Sequence, residues 1–170
     1  TGGYTCTLLV LACRTGGLGS KGVSLIVLET ENLPGFRVGQ RLEKIGQHAS
    51  DTAQILFENC RVPAANLIGD EGAGYRIALS GLEGGRIGIA AQSLGMARAA
   101  YEAALSYARE RVAFGQPIFQ HQAVQFRLAD MATQIEAARQ LIHHAAALKD
   151  AGQPCLKQAA MAKLFASEMA

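Results

Sequence analysis

The sequence predicts an α+β chain: an antiparallel β portion over residues 1–69, then an up-down helical bundle over residues 70–170. Three observations carry that expectation. Short runs rich in Val, Ile and Leu, joined by turns with no helix between them, fill the first part of the chain. From Gly74 onward apolar residues recur at spacings of three and four, the helical period. Between the two, the composition shifts over Pro63 to Gly74, where Leu67-Ile68-Gly69-Asp70-Glu71-Gly72 reads as a domain hinge and places two carboxylates ahead of a helix N-terminus.

The elements follow in order. YTCTLLVLAC over 4–13 is a first strand, and Gly16 to Gly19 is the turn of a hairpin rather than a phosphate cradle. GVSLIVLE over 22–29 is the second strand. Asn32 to Gly35 turns around Pro34, FRVGQRLEKIG over 36–46 holds a short third strand, and AQILFENCRV over 53–62 is a fourth, stopped by Pro63. The first helix carries Gly81, Gly84 and Gly85, each costing about 1 kcal/mol relative to Ala. Tight helix packing or a kink would explain them, and so would close approach of a ligand to the backbone. Its apolar stripe reads Ile87, Ala91, Leu94, Ala97, Tyr101, Leu105, Ala108. A second helix, from about Phe119 to Leu148, repeats Val124, Leu128, Met131, Ile135, Ala138, Ile142 and Ala145, a bundle seam. Arg127, Asp130, Glu136 and Arg139 form its solvated or intersubunit face. Asp150 to Pro154 stops it, and a third helix starts after Pro154, with Leu156, Ala160, Lys163, Leu164 and Met169 on various faces. The first strand begins almost at the first residue and the last helix runs to the final one, which suggests an internal fragment of a longer chain.

Composition narrows the function classes. A net charge of +2 argues against nucleic-acid or anionic-membrane binding driven by bulk charge. Charged residues are only 18% of the 170, so much of the surface is expected to be covered by partner chains or missing segments. Cys6, Cys13, Cys60 and Cys155 have no paired spacing and read as core thiols in a reducing compartment. His143 and His144 are adjacent on a helix, where their side chains diverge, and His48 and His121 are isolated, which argues against a histidine metal site. No phosphate loop, dinucleotide fingerprint or Gly-x-Ser-x-Gly is present.

The informative stretch is Gly81 to Gln122. Glu83-Gly84-Gly85-Arg86 opens the helix and Arg111 with Phe114 closes it. An Arg at a helix C-terminus complements the dipole, and a Phe before Gly115 can simply anchor a loop. Together they could also hold a dinucleotide, a guanidinium gripping pyrophosphate and a ring facing adenine, with Gln122 adding a hydrogen bond.

These blocks resemble the acyl-CoA dehydrogenases. GLEGGRIGIAAQSLG, YARERVAFGQPIFQHQAVQFRLADMATQIEAAR and MAKLFASEMA look like that family, and so does LPGFRVGQRLEKIGQHASDTAQILFENCRVPAANLIGDEGAGY upstream, in the same order. The short-chain and short-branched-chain branch is the nearest in resemblance, through Gly-Arg-Ile-Gly-Ile-Ala. The resemblance implies the later part of a middle β domain and the first three helices of a C-terminal four-helix domain. It implies FAD, an acyl-CoA thioester substrate dehydrogenated across its α–β bond, and electron-transfer flavoprotein as the acceptor. It further implies a homotetramer built as a dimer of dimers, in a bacterial cytoplasm or mitochondrial matrix, serving fatty acid or branched-chain amino acid breakdown. By the same resemblance Arg111, Phe114 and Gln122 contact the FAD of a neighbouring subunit. Tyr75, Glu83, Gly84, Gly85 and Arg86 contact substrate, and Ser20 matches a CoA contact of some members. The catalytic Glu of most members is expected beyond Ala170. In another branch the base directly precedes the Arg matching Arg86, but that position is Gly85 here and Glu83 is displaced by two residues. An oxygen-using acyl-CoA oxidase or a non-catalytic protein that kept the fold are the other classes this pattern allows.

Overall fold

A computed structural model describes residues 1–170, and the chain divides into two units, Thr1–Ala78 and Leu79–Ala170. In the first unit, β1 (Leu8–Arg14) and β2 (Val23–Glu29) pair antiparallel in unbroken register, from Leu8 opposite Glu29 to Arg14 opposite Val23. The glycine-rich segment between them is the hairpin connection that the sequence indicates. β3 (Phe36–Arg41) and β4 (Ala53–Phe57) form a separate antiparallel pair, with a register shift between Val38 and Arg41. A short β5 (Leu67–Ile68), not foreseen from the sequence, adds to the free edge of β2.

The strands are shorter than their apolar runs, for local reasons. β1 starts at Leu8 because the residues before it are tied into a turn: Tyr4 donates its N–H to Asp51 Oδ2 at 2.7 Å, and Cys6 donates to Gly2 O at 2.9 Å. β3 ends at Arg41, and Leu42 N–H to Thr52 O (2.8 Å) closes the ladder before the chain loops out. β4 ends at Phe57, with Asn59 in the left-handed region at φ 55° and unable to continue a strand. Phe36 and Phe57 face each other across this pair with ring centroids 5.4 Å apart.

β2 is the centre of the first unit. Its Ser24, Leu25 and Leu28 are buried. Ser24 is polar, but its hydroxyl exchanges a 2.7 Å hydrogen bond with Thr15 Oγ1 and accepts the Gly72 N–H at 2.9 Å. Thr30, also buried, donates to Cys6 O at 2.6 Å. Each buried hydroxyl therefore has a partner, as a dry interior requires. The chain that follows β5 presses backbone to backbone: a Cβ on Gly72 would lie 2.3 Å from Lys21 O, and one on Gly74 would lie 2.5 Å from the carbonyl carbon of Ser24. Only glycine fits there.

Gly74 begins α1 (Gly74–Glu110), which runs on into the second unit. There it is joined by α2 (Gln122–Asp150) and α3 (Leu156–Met169). The core is built from small residues: Ala90 of α1, Ala138, Ile142 and Ala145 of α2, and Ala159, Ala162 and Ala166 of α3, flanked by Ile87, Leu94, Leu141, Phe165 and Met169. The α2 seam holds as expected, with Leu128, Ile135, Ala138, Ile142 and Ala145 buried. The α1 stripe needs one correction. Ala90, fully buried, takes the place assigned to Ala91, which is exposed; an ideal helix repeats every 3.6 residues, so either neighbour can serve and packing selects one. Of the cysteines only Cys155 is buried; Cys6, Cys13 and Cys60 are half-buried rather than core residues. Gly152 at φ 66° ends α2, with its N–H on Lys149 O and that of Gln153 on Leu148 O. No helix is long and apolar enough to cross a membrane.

The glycine geometry gives opposite expectations at two sites. Gly74→Ala forces the Ser24 backbone aside and should lose about 1–3 kcal/mol in urea unfolding. Gly95→Ala meets open space inside α1 and should gain up to about 1 kcal/mol.

Candidate functional site

The segment between α1 and α2 is a miniature hairpin. β6 (Val112–Ala113) pairs with β7 (Gln116–Pro117), Val112 opposite Pro117 and Ala113 opposite Gln116. Its two turn residues, Phe114 at φ 53° and Gly115 at φ 80°, both lie in the left-handed region, the signature of a type I′ turn. Gly115 adopts this freely, whereas Phe114 does so at a cost of roughly 1–2 kcal/mol. That strain leaves the Phe114 ring 96% exposed at the tip. Arg111, one residue past α1, and Gln122, the first residue of α2, are exposed as well, and neither side chain is hydrogen-bonded within the chain. The structure therefore brings the three sequence-selected residues to one connection and leaves all three side chains exposed. Guanidinium, carboxamide and an open ring face suit a ligand with phosphates and flat heterocycles, as FAD has.

The second group lies on α1 in the second unit. Glu83, Gly84 and Arg86 are half-buried, and Gly85 is exposed. Nothing in the chain occupies the space over Gly81 or Gly85, while a Cβ at Gly84 would only touch the Lys149 side chain at 3.5 Å. Packing within this chain thus does not require the helical glycines. Glu83 is held by a residue 72 positions away: the Cys155 thiol, 2% exposed at the start of α3, donates to Glu83 Oε1 at 3.0 Å. This bond is the main reason the Glu83 carboxyl sits below its ordinary value, with Lys149 and Arg86 adding to the effect. The same bond, together with burial, raises the Cys155 thiol.

In the first unit a cavity of about 490 Å³ joins Ser20 and Tyr75, with Lys21, Asp70, Glu71 and Arg76 on its walls. The two residues that the resemblance assigns to different parts of the acyl-CoA thus share one concavity.

Nothing in the sequence singles out Cys155 or His121, the two residues that hold these groups in place. Cys155 is an ordinary helix-start residue until α3 folds back to Glu83. His121 donates to Ala113 O and accepts from Gln116 Nε2, both at 3.2 Å, a pairing visible only once the hairpin closes.

Comparisons with known proteins identify the family of the chain. A family model described as acyl-CoA dehydrogenase, C-terminal domain, matches residues 72–170. An acyl-CoA dehydrogenase of Bacillus subtilis is 48% identical over 169 residues, 99% of this chain and 44% of the relative. The solved butyryl-CoA dehydrogenase of Megasphaera elsdenii superposes with a TM-score of 0.93 at 42% identity, over 99% of this chain and 44% of its own. A chain from the structure of the electron transferring flavoprotein of Acidaminococcus fermentans, described in work towards a mechanism of flavin-based electron bifurcation, gives a TM-score of 0.92 at 49% identity, with the same coverage. The chain thus spans less than half the length of these relatives.

The Glu83–Cys155 bond has a definite pH signature. The depressed carboxyl stabilises the fold above its ordinary value, and that contribution is lost as pH falls through the folded value. The raised thiol stabilises below its ordinary value, and that contribution is lost as pH rises through the folded one. The melting-temperature gap between wild type and Cys155→Ala should therefore be widest between about pH 5 and 8 and shrink on both sides. A gap that does not vary with pH would refute the coupling.

Proposed function

The chain belongs to the acyl-CoA dehydrogenase family, and from that premise we propose that it is part of an FAD-dependent enzyme that dehydrogenates short or short-branched acyl-CoA thioesters to 2-enoyl-CoA. The observation that carries this reading is the hairpin tip, where Phe114 is strained and almost wholly exposed beside the unpaired Arg111. Strain held at an exposed surface position is a mark of a functional contact. Arg111 pairs with the phosphates of FAD, Phe114 lies against its flat portion, and Gln122 adds a hydrogen bond. The enzyme is a dimer of dimers, and the tip serves the FAD of the neighbouring subunit.

Substrate lies along Glu83 to Arg86. With the space over Gly85 open, the acyl chain or pantetheine can pass close to the helix backbone. In the first unit, Tyr75 and Ser20 line a cavity suited to part of a CoA thioester, which supports their assignment to substrate. An α-proton beside a thioester is weakly acidic, so the site must stabilise developing enolate charge and supply a base of matched strength. Glu83 is unsuited to proton abstraction, because its carboxyl is held low by Cys155, whereas a base of this kind works best when its affinity for protons is raised. The abstracting carboxylate accordingly comes from outside residues 1–170. When bound, FAD supplies the two-electron acceptor for the β-hydrogen, and the residues here contribute orientation. The likeness to a chain from the electron transferring flavoprotein structure supports electron-transfer flavoprotein as the acceptor of the electrons.

In the full-length protein, Arg111→Ala should weaken FAD binding roughly tenfold to a hundredfold, the loss of a charge-assisted hydrogen-bond pair, and the variant should purify nearly colourless. Wild-type protein titrated anaerobically with butyryl-CoA should lose its flavin absorbance. A yellow Arg111→Ala protein with unchanged FAD content would overturn the site, and a spectrum indifferent to short acyl-CoA thioesters would overturn the substrate class.

A further inference from the structure

We propose that His121 is a positioning residue, a brace that ties the first turn of α2 to the hairpin tip and sets Phe114 in its flavin-binding arrangement; this rests on the function proposed above. The hairpin cannot hold itself. Each of its strands has two residues, and isolated hairpins are marginal even when longer. One of its two pairs contains Pro117, which has no N–H to give. Below that pair, Ile118 N–H to Arg111 O (2.8 Å) closes the base. The tip needs further support to keep an aromatic residue at φ 53°.

The His121 ring provides it. Nε2 lies 3.2 Å from Ala113 O, and Nδ1 lies 3.2 Å from Gln116 Nε2. A carbonyl oxygen can only accept, so Nε2 carries the proton; Nδ1 is then an acceptor and takes an N–H of the Gln116 carboxamide. A single neutral imidazole thus bonds to both residues that flank the turn. Its edge also meets the Phe114 ring, centroids 6.1 Å apart and planes at 87°, the only ring contact Phe114 makes. The brace is anchored at its other end. The His121 carbonyl accepts the N–H groups of Val124 and Gln125, both at 3.0 Å, and its own N–H donates to Ile118 O at 3.1 Å. Position therefore passes from the 29-residue α2, through one half-buried ring, to the tip. A binding group held in its bound geometry loses less freedom on binding, so the brace should appear as flavin affinity.

The test uses full-length protein stripped of flavin. FAD dissociation constants are measured for wild type, His121→Ala, His121→Phe, Phe114→Ala and the His121→Ala/Phe114→Ala double variant, alongside amide exchange over residues 112–117 and melting temperature without flavin. His121→Phe keeps a ring without either hydrogen bond, and stands in if the alanine variant folds poorly. Both His121 variants should bind FAD about tenfold more weakly. They should exchange the 112–117 amides faster and melt close to wild type. In the double variant the His121 change should add almost nothing to Phe114→Ala, because the brace acts through the tip. Fully additive losses, or wild-type FAD affinity and amide exchange in both His121 variants, would overturn the brace while leaving the flavin site intact. Wild-type FAD affinity in Phe114→Ala would instead overturn the flavin reading of the tip, and with it any effect of His121 on cofactor binding.

Discussion

Two successive residues with positive φ, Phe114 and Gly115, reverse the chain between two long helices, and much of the second unit's organisation depends on that reversal. A type I′ turn matches the twist of the strands it joins, so a connection of two-residue strands can close without splaying. The favoured first residue of such a turn is Asn, whose short polar side chain tolerates the left-handed region, or Gly, which has no Cβ to clash there. Phenylalanine there is locally unfavourable, and burial inside the chain does not repay it. The strain is met by hydrogen bonds around the turn, from Ile118 to Arg111 and from His121 to both flanking residues. What the arrangement yields is an exposed aromatic projection beside an unengaged guanidinium, at the end of a helix.

Elsewhere the fold relies on small residues at its closest contacts. In the first unit, glycine at 72 and 74 lets backbone rest on backbone. In the second, alanines from all three helices meet in the core, and helices lined this way can approach closely over a continuous seam. Several large apolar side chains of the second unit, among them Leu82, Met96, Phe126, Leu156 and Leu164, stay exposed instead. Cohesion within the bundle comes from close packing of small groups, and the larger ones are left on exposed faces.

Glu83 shows how tertiary contact can reverse the chemistry suggested by residue type. A carboxylate next to the glycines that the family resemblance assigns to substrate looks like a base. Once α3 brings the Cys155 thiol to within 3.0 Å, the same carboxylate is an acceptor whose charge is favoured, which suits binding and orientation better than proton abstraction. The thiol in turn keeps its proton more firmly. A contact spanning 72 residues couples the two groups.

The α+β class, the antiparallel hairpins, the three helices and the α2 seam were all legible from the sequence, because periodicity, turn residues and caps act over a few residues and leave a local record. The resemblance to a family through Glu83 to Arg86 and Arg111 to Gln122 was legible for the same reason: those motifs are contiguous. Other features are not local. The early ends of β1, β3 and β4, the edge strand β5 and the choice of Ala90 over Ala91 depend on which distant group supplies a hydrogen bond or leaves space. The shared cavity of Ser20 and Tyr75, the Cys155 thiol on Glu83 and the His121 brace likewise require segments far apart in sequence, or on opposite sides of a turn, to be brought together. Only the folded chain sets those distances, since the energy that decides them comes from contacts between residues that the sequence does not place side by side.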